Sequence, residues 1–134
     1  MKYTEFITHV ESLAQSNSRE EAENATRATL ATLKELIPGD ELQELVKEIP
    51  PELGECLLKQ DTATHESFHL QEFIERTSQK ENIAPTITAM HVRAVFAVLQ
   101  NAVTPEKFKK FHGYFTHDYE ELFITSSTGE ILAS

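Results

Sequence analysis

The chain has 134 residues, 40% of them hydrophobic, with 12 basic and 22 acidic side chains and a formal net charge of −10, the profile of one ordinary acidic globular domain. A chain of this length buries roughly two-thirds of its unfolded surface, so it needs neither disulfide nor metal merely to fold, and its lone cysteine, Cys56, can form no internal disulfide. The negative excess repels phosphate backbones and anionic lipid, and the longest apolar run, Ala94 to Leu99, falls far short of the ~20 residues that cross a bilayer, so neither nucleic acid nor membrane is expected as a partner. The opening residues run into an amphipathic pattern instead of a signal peptide, which makes the cytoplasm the expected compartment.

Apolar spacing predicts helices almost throughout. A first helix covers about residues 4–15. Ser18-Arg19-Glu20-Glu21 has the form of a capping box, in which the Ser oxygen and the Glu side chain each satisfy an amide at a helix start. The helix it opens runs to about Ile37 and stops at Pro38-Gly39. Asp40 caps a third helix with Leu42, Leu45, Val46 and Ile49 on one face, and Pro50-Pro51 ends that one and begins a fourth. Residues 59–68, with Asp61, two threonines and no apolar periodicity, read as a connector. A helix over about 69–79 follows, then a long one from Pro85 to about Val103, one begun by Thr104-Pro105 and a short one capped by Thr116. The expected fold is all-α, eight helices in one domain over residues 1–134. Weak extended signals, Phe123-Ile124-Thr125 and Ile131-Leu132, fall at a polar end where residues 125–134 are expected to form a flexible tail.

Laid on itself at an offset of 66 residues, the chain places Arg27–Leu57 on Arg93–Phe123 without a gap. Leu42, Leu45, Ile49, Leu53 and Leu57 fall on Phe108, Phe111, Phe115, Tyr119 and Phe123, so apolar positions stay apolar. Glu5-Phe6-Ile7 meets Glu72-Phe73-Ile74 at an offset of 67, one loop residue more. The pattern predicts two four-helix repeats, 4–58 and 69–124, related by an approximate two-fold axis with the two long helices at the centre.

This layout resembles a bacterial family known as domain of unknown function 2267. The resemblance rests on Glu5-Phe6-Ile7, the run Glu21-Ala22-Glu23-Asn24-Ala25-Thr26-Arg27-Ala28-Thr29-Leu30, Leu36-Ile37-Pro38, the corner Ile49-Pro50-Pro51-Glu52-Leu53, and the return of that scheme after Phe68-His69-Leu70-Gln71-Glu72-Phe73. The second half departs from it, with Ile83-Ala84-Pro85-Thr86-Ile87 in place of an acidic, alanine-rich helix start. What the resemblance implies is an all-α fold; it implies no activity.

His65-Glu66-Ser67-Phe68-His69 satisfies H-E-x-x-H, which on a helix puts two imidazoles one turn apart on Zn²⁺ and a carboxylate beside its water. The setting counts against zinc chemistry. The motif straddles the connector and a helix start, Gln71 stands where zincin helices are apolar, and Glu72 and Glu75 stand where the metzincin extension wants Gly and His. Cys56 matches Leu122 across the repeats, as a small buried hydrophobe would, and four glycines leave little material for a phosphate-cradling loop. Lys107, Lys109 and Lys110 interleave with aromatics, but Phe108, Phe111 and Phe115 follow i, i+3, i+7 into a core and leave the lysines as a solvated face. Arg27 and Arg93 sit mid-helix among aliphatic neighbours, and Glu55 and Glu121 recur 28 residues after them, so ion pairs Arg27–Glu55 and Arg93–Glu121, or with the acidic neighbours Glu52 and Asp118, are expected as structural locks, with a pair of anion sites as the alternative.

No catalytic residue, metal or cofactor is therefore expected. Residues 1–66 carry 6 basic and 14 acidic side chains, net −8, against 6 and 8, net −2, in residues 67–134, so the first half can serve as an acidic docking face. The function that fits is a non-enzymatic protein-interaction or scaffolding module with a protein partner. A metal-dependent hydrolase on His65, Glu66 and His69, or a small-ligand carrier binding between the repeats, stands as the alternative.

Overall fold

Phe6, Ile7, Val10 and Ala14 fall on one face of a helix, and all four are buried on α1 (Tyr3–Ala14) in the computed structural model, which describes residues 1–58, 66–120 and 122. The helix ends at Gln15, whose left-handed backbone (φ 53°) turns its N–H back onto the carbonyls of Glu11 and Ser12. Ser18 caps α2 (Arg19–Leu36) by accepting from the Glu21 amide at 3.1 Å. The return arm of the box differs from expectation: the Glu21 carboxylate accepts from the Asn17 amide at 3.0 Å, one residue before the cap. Pro38 stands at the cap position of α3 (Gly39–Val46), so Asp40 lies in the first turn instead of capping, where its charge still suits the helix dipole.

Pro51 opens α4 (Pro51–Leu58). A Cβ at Gly54 would stand 2.9 Å from Val46 Cγ1, so this glycine is what lets α4 lie against the end of α3. After the connector, α5 (Leu70–Glu81) ends at Asn82, again left-handed (φ 60°), and the chain bends by 104° into α6 (Pro85–Ala102), which has proline in its first turn. Then come α7 (Pro105–Phe111) and two 3₁₀ turns, His112–Tyr114 and His117–Tyr119. The segment after Thr116, where an eighth helix is expected, starts as the second of these 3₁₀ turns, and Glu120 and Leu122 beyond it are α-helical. Fully buried Tyr119 fixes it there by donating to the Phe68 carbonyl at 2.8 Å. The extended signals at 123–125 and 131–132 lie outside the described residues, and among the described residues there is no strand.

α2 and α6 pack on each other; α1 lies against both, and so does α5. α4 covers α2 and touches α1, and α3 contacts α4 and α7. The all-α core that results centres on Phe73, whose ring meets Phe96 (5.6 Å, 78°) and Tyr119 (5.9 Å, 88°) edge-on. Around it lie Phe6, Leu30, Leu36, Phe111 and Leu99, all essentially without exposure.

Candidate functional site

Glu21, Asn24, Ala28, Thr32 and Glu35 recur every three or four residues along α2 and so share one stripe. Charged and hydroxyl side chains of α5 and α6 gather along it. At one end is a buried cluster. His91 of α6 is 1% exposed, with Nδ1 2.7 Å from Glu81 Oε2 and Nε2 3.1 Å from Glu21 Oε2. Carboxylate oxygens only accept, so both contacts are hydrogen bonds only when the ring is imidazolium. The bond to Glu81 raises the His91 pKa; burial opposes it, and the second carboxylate, Glu21, adds to the rise. Thr88 donates to the other Glu81 oxygen at 2.8 Å. Both ring nitrogens face carboxylates, so neither is placed to take a proton from a nucleophile.

Midway, a groove of about 410 Å³ is lined by Asn24, Arg27, Ala28 and Ala31 of α2 and by Lys80 and Glu81 of α5. Two cations, an amide and a carboxylate give it a polar lining, unlike the enclosed apolar pocket that a carrier between repeats calls for. Below it, Thr77 Oγ1 donates within a buried pair to Thr32 Oγ1 at 2.8 Å and lies as close to the Phe73 carbonyl. At the far end, Arg76 binds Glu35 (2.8 Å), Glu66 (2.6 Å) and Glu72 (2.5 Å), with its guanidinium carbon 3.9 Å above the Phe68 ring. Lys80 takes the second Glu35 oxygen at 2.8 Å. Burial pushes the Glu35 carboxyl up, but the bonds from Lys80 and Arg76 outweigh it and hold the group below its usual range.

The H-E-x-x-H segment lacks the helix that zinc chemistry requires. Residues 66–69 are non-helical, and α5 begins only at Leu70. Glu66 is drawn to Arg76, and His69 sits at the start of α5 with Nδ1 3.3 Å from Asp118. His65 lies outside the described residues, among which no three His, Cys, Asp or Glu side chains are grouped to hold a metal ion. Arg27 and Glu55 are both exposed. Arg27 donates to Tyr3 Oη at 3.1 Å, and the tyrosine donates to Glu23 at 2.6 Å, so its tie runs to α1 and not to Glu55 of α4. The mid-helix position that suggested burial is on the solvent side of α2. Arg93 is exposed as well, while Glu121 and the Cys56 side chain fall outside the described part. Lys107 also departs from expectation, reaching Glu48 at 3.0 Å and Glu44 at 3.9 Å instead of facing only solvent.

Sequence spacing therefore missed His91 and Arg76. Partners of each lie 70 and 41 residues away (Glu21 and Glu35), a separation no local motif encodes; the pairs Glu72–Arg76, Glu66–Arg76 and Glu81–His91 are closer in sequence. A family model described as an uncharacterized conserved protein (DUF2267) matches residues 3–122. No curated protein matches the chain.

Proposed function

The chain belongs to the DUF2267 family, and from that premise we propose that it is a non-catalytic protein-interaction module whose carboxylate-rich first half docks a basic surface of a partner protein. The observation that carries this reading is the division of charge. Lys47, Arg76, Lys80 and Lys107 turn to carboxylates of their own chain. Glu20, Asp40 and Glu55 stand exposed and take part in none of the ion pairs among the described residues. Internal pairing thus uses up cations and leaves an anionic exterior, which speeds association with a basic partner and weakens with salt. Neither nucleic acid nor membrane fits that exterior. Among the described residues no single helix is long and apolar enough to cross a bilayer. A cytoplasmic partner is part of the same reading. Affinity capture from the native host, with wild type beside Glu20→Lys/Asp40→Lys/Glu55→Lys, tests it. A protein held at low salt, released at high salt and lost by the variant is the expected result; equal capture by both proteins contradicts it.

We further infer that the fold is a duplication, repeats 4–58 and 69–124 about an approximate two-fold axis. Its support lies in the matched elements. α1 and α5 have 12 residues each and end on left-handed Gln15 and Asn82; α2 and α6 have 18 each and end on extended Ile37 and Val103. Exchanging α1 with α5, α2 with α6 and α3 with α7 also turns the contacts α1–α2, α1–α6 and α2–α6 into α5–α6, α5–α2 and α6–α2, all of which occur.

A further inference from the structure

His91 is buried beyond any role in docking, and its surroundings are costly to build. Glu81 ends α5, where the negative pole of the helix disfavours a carboxylate, and its side chain is 0% exposed. Glu21 is held from both sides, by the Asn17 amide on one oxygen and by His91 on the other. A single proton therefore ties three places together: the α1–α2 turn through Glu21, the end of α5 through Glu81, and the first half of α6. We propose that His91 is a proton-operated latch, whose imidazolium closes the α5–α6 corner onto the start of α2 and whose neutral form lets that corner open.

The neutral ring has one N–H for two carboxylates. Whichever nitrogen loses its proton then presents a lone pair to a carboxylate oxygen at 2.7 or 3.1 Å, with a second negative charge nearby and little water to screen either. Relief comes from moving Glu81 outward, and the 104° bend over Asn82–Ala84 is the place where α5 can move. The charged groups facing the ring are Glu21 from α2 and Glu81 from α5. From α1, the third helix packed on α6, Glu5 and His9 are exposed and Glu11 is half-buried, while its buried residues are apolar.

The fold itself does not demand this cluster. In the matched register of the two halves, Glu21 corresponds to exposed Ile87 (21 + 66), His91 to buried Ala25 (91 − 66) and Glu81 to buried Ala14 (81 − 67), so the equivalent helix junction forms without any of the three polar groups. A raised imidazolium pKa accompanies the geometry. Stability from a group of this kind is fully present below the ordinary His value of about 6.5 and is lost as pH rises through the folded value.

Two measurements on the full chain test the latch. The first follows the His91 ring nitrogens by NMR through a pH titration of the wild type, which needs no variant. Both nitrogens are expected to stay protonated above the ordinary ~6.5, and the Ile83 amide, which donates to the Ser78 carbonyl, to lose protection against exchange, relative to its intrinsic rate at each pH, once the proton leaves. Titration at or below ~6.5, or unchanged protection at the corner, overturns the proposal. The second compares melting temperatures between pH ~6 and ~9. The wild type should lose about 4 °C for each pH unit by which the imidazolium outlasts its ordinary value, while Glu21→Ile/His91→Ala/Glu81→Ala, the set borrowed from the matched junction, should lack that loss. The same pH profile in both proteins would contradict it.

Discussion

Thr29 is fully buried, and its Oγ1 has no hydrogen-bond partner in the structure. An unpaired buried hydroxyl costs about 1–3 kcal/mol, and valine has the same shape without it. The matched position in the other half is Val95, also without exposure. Thr29→Val should therefore raise stability by about 1 kcal/mol in chemical denaturation; a loss of similar size would mean that the hydroxyl is satisfied. Arg76 is the opposite case. Its side chain is 24% exposed and neutralises Glu35, Glu66 and Glu72 together, so removing it leaves three carboxylates crowded. Arg76→Met is expected to cost about 2 kcal/mol, between the ~0–1 of a surface pair and the ~3–5 of a buried one. Because Arg76 and Lys80 lower the Glu35 pKa, the stabilisation that Glu35 supplies is present above its unfolded value and fades as pH falls through the folded one. Acid melts of wild type and Glu35→Gln should converge at low pH, and parallel curves would refute the assignment. Little of this was legible in the sequence, where Thr29 is one hydroxyl among aliphatic neighbours and two of the three partners of Arg76, Glu35 and Glu66, lie outside its helix. Arg27 misled for a related reason: helix position gives a residue's height along the axis, whereas exposure depends on which neighbour covers that face.

The helices themselves were readable, because proline, glycine and capping residues act within one turn. Ser18, Pro51, Pro85 and Pro105 begin or precede helices at the expected places, and α2 ends one residue before Ile37. What local signals missed is geometry set by packing. Asp40 yields the cap to Pro38, and the first residues after Thr116 form a 3₁₀ turn, tied by Tyr119 to the Phe68 carbonyl, before the chain turns α-helical at Glu120. Gly54 shows packing overruling propensity. In an ordinary helix interior Gly→Ala gains about 1 kcal/mol, yet here the new Cβ meets Val46 at 2.9 Å. Gly54→Ala should lower stability by about 1 kcal/mol, since overpacking typically costs about 1–3. A gain in thermal unfolding experiments would show that α3 and α4 slide apart freely.

Read as a duplication, the molecule has two seams of the same geometry and different chemistry. Between α2 and α5, Thr32 meets Thr77 and His91 lies between Glu21 and Glu81; in the matched register the other seam, between α6 and α1, has Val98 (98 − 66) with Val10 (77 − 67), both buried. The apolar pattern on which the proposed duplication rests is visible in the sequence, because apolar periodicity survives substitution. The polar seam is not, because its members meet only once α2 and α5 lie side by side. Outside that seam the excess carboxylates of the first half remain in solvent, which is where a basic protein would find them. Zero-length carboxylate-to-lysine cross-linking of the captured complex, read by mass spectrometry, locates that contact directly. Cross-links from Glu20, Asp40 or Glu55 to lysines of a partner protein are the predicted result; a partner joined only through Lys109 and Lys110 of the second half would contradict it.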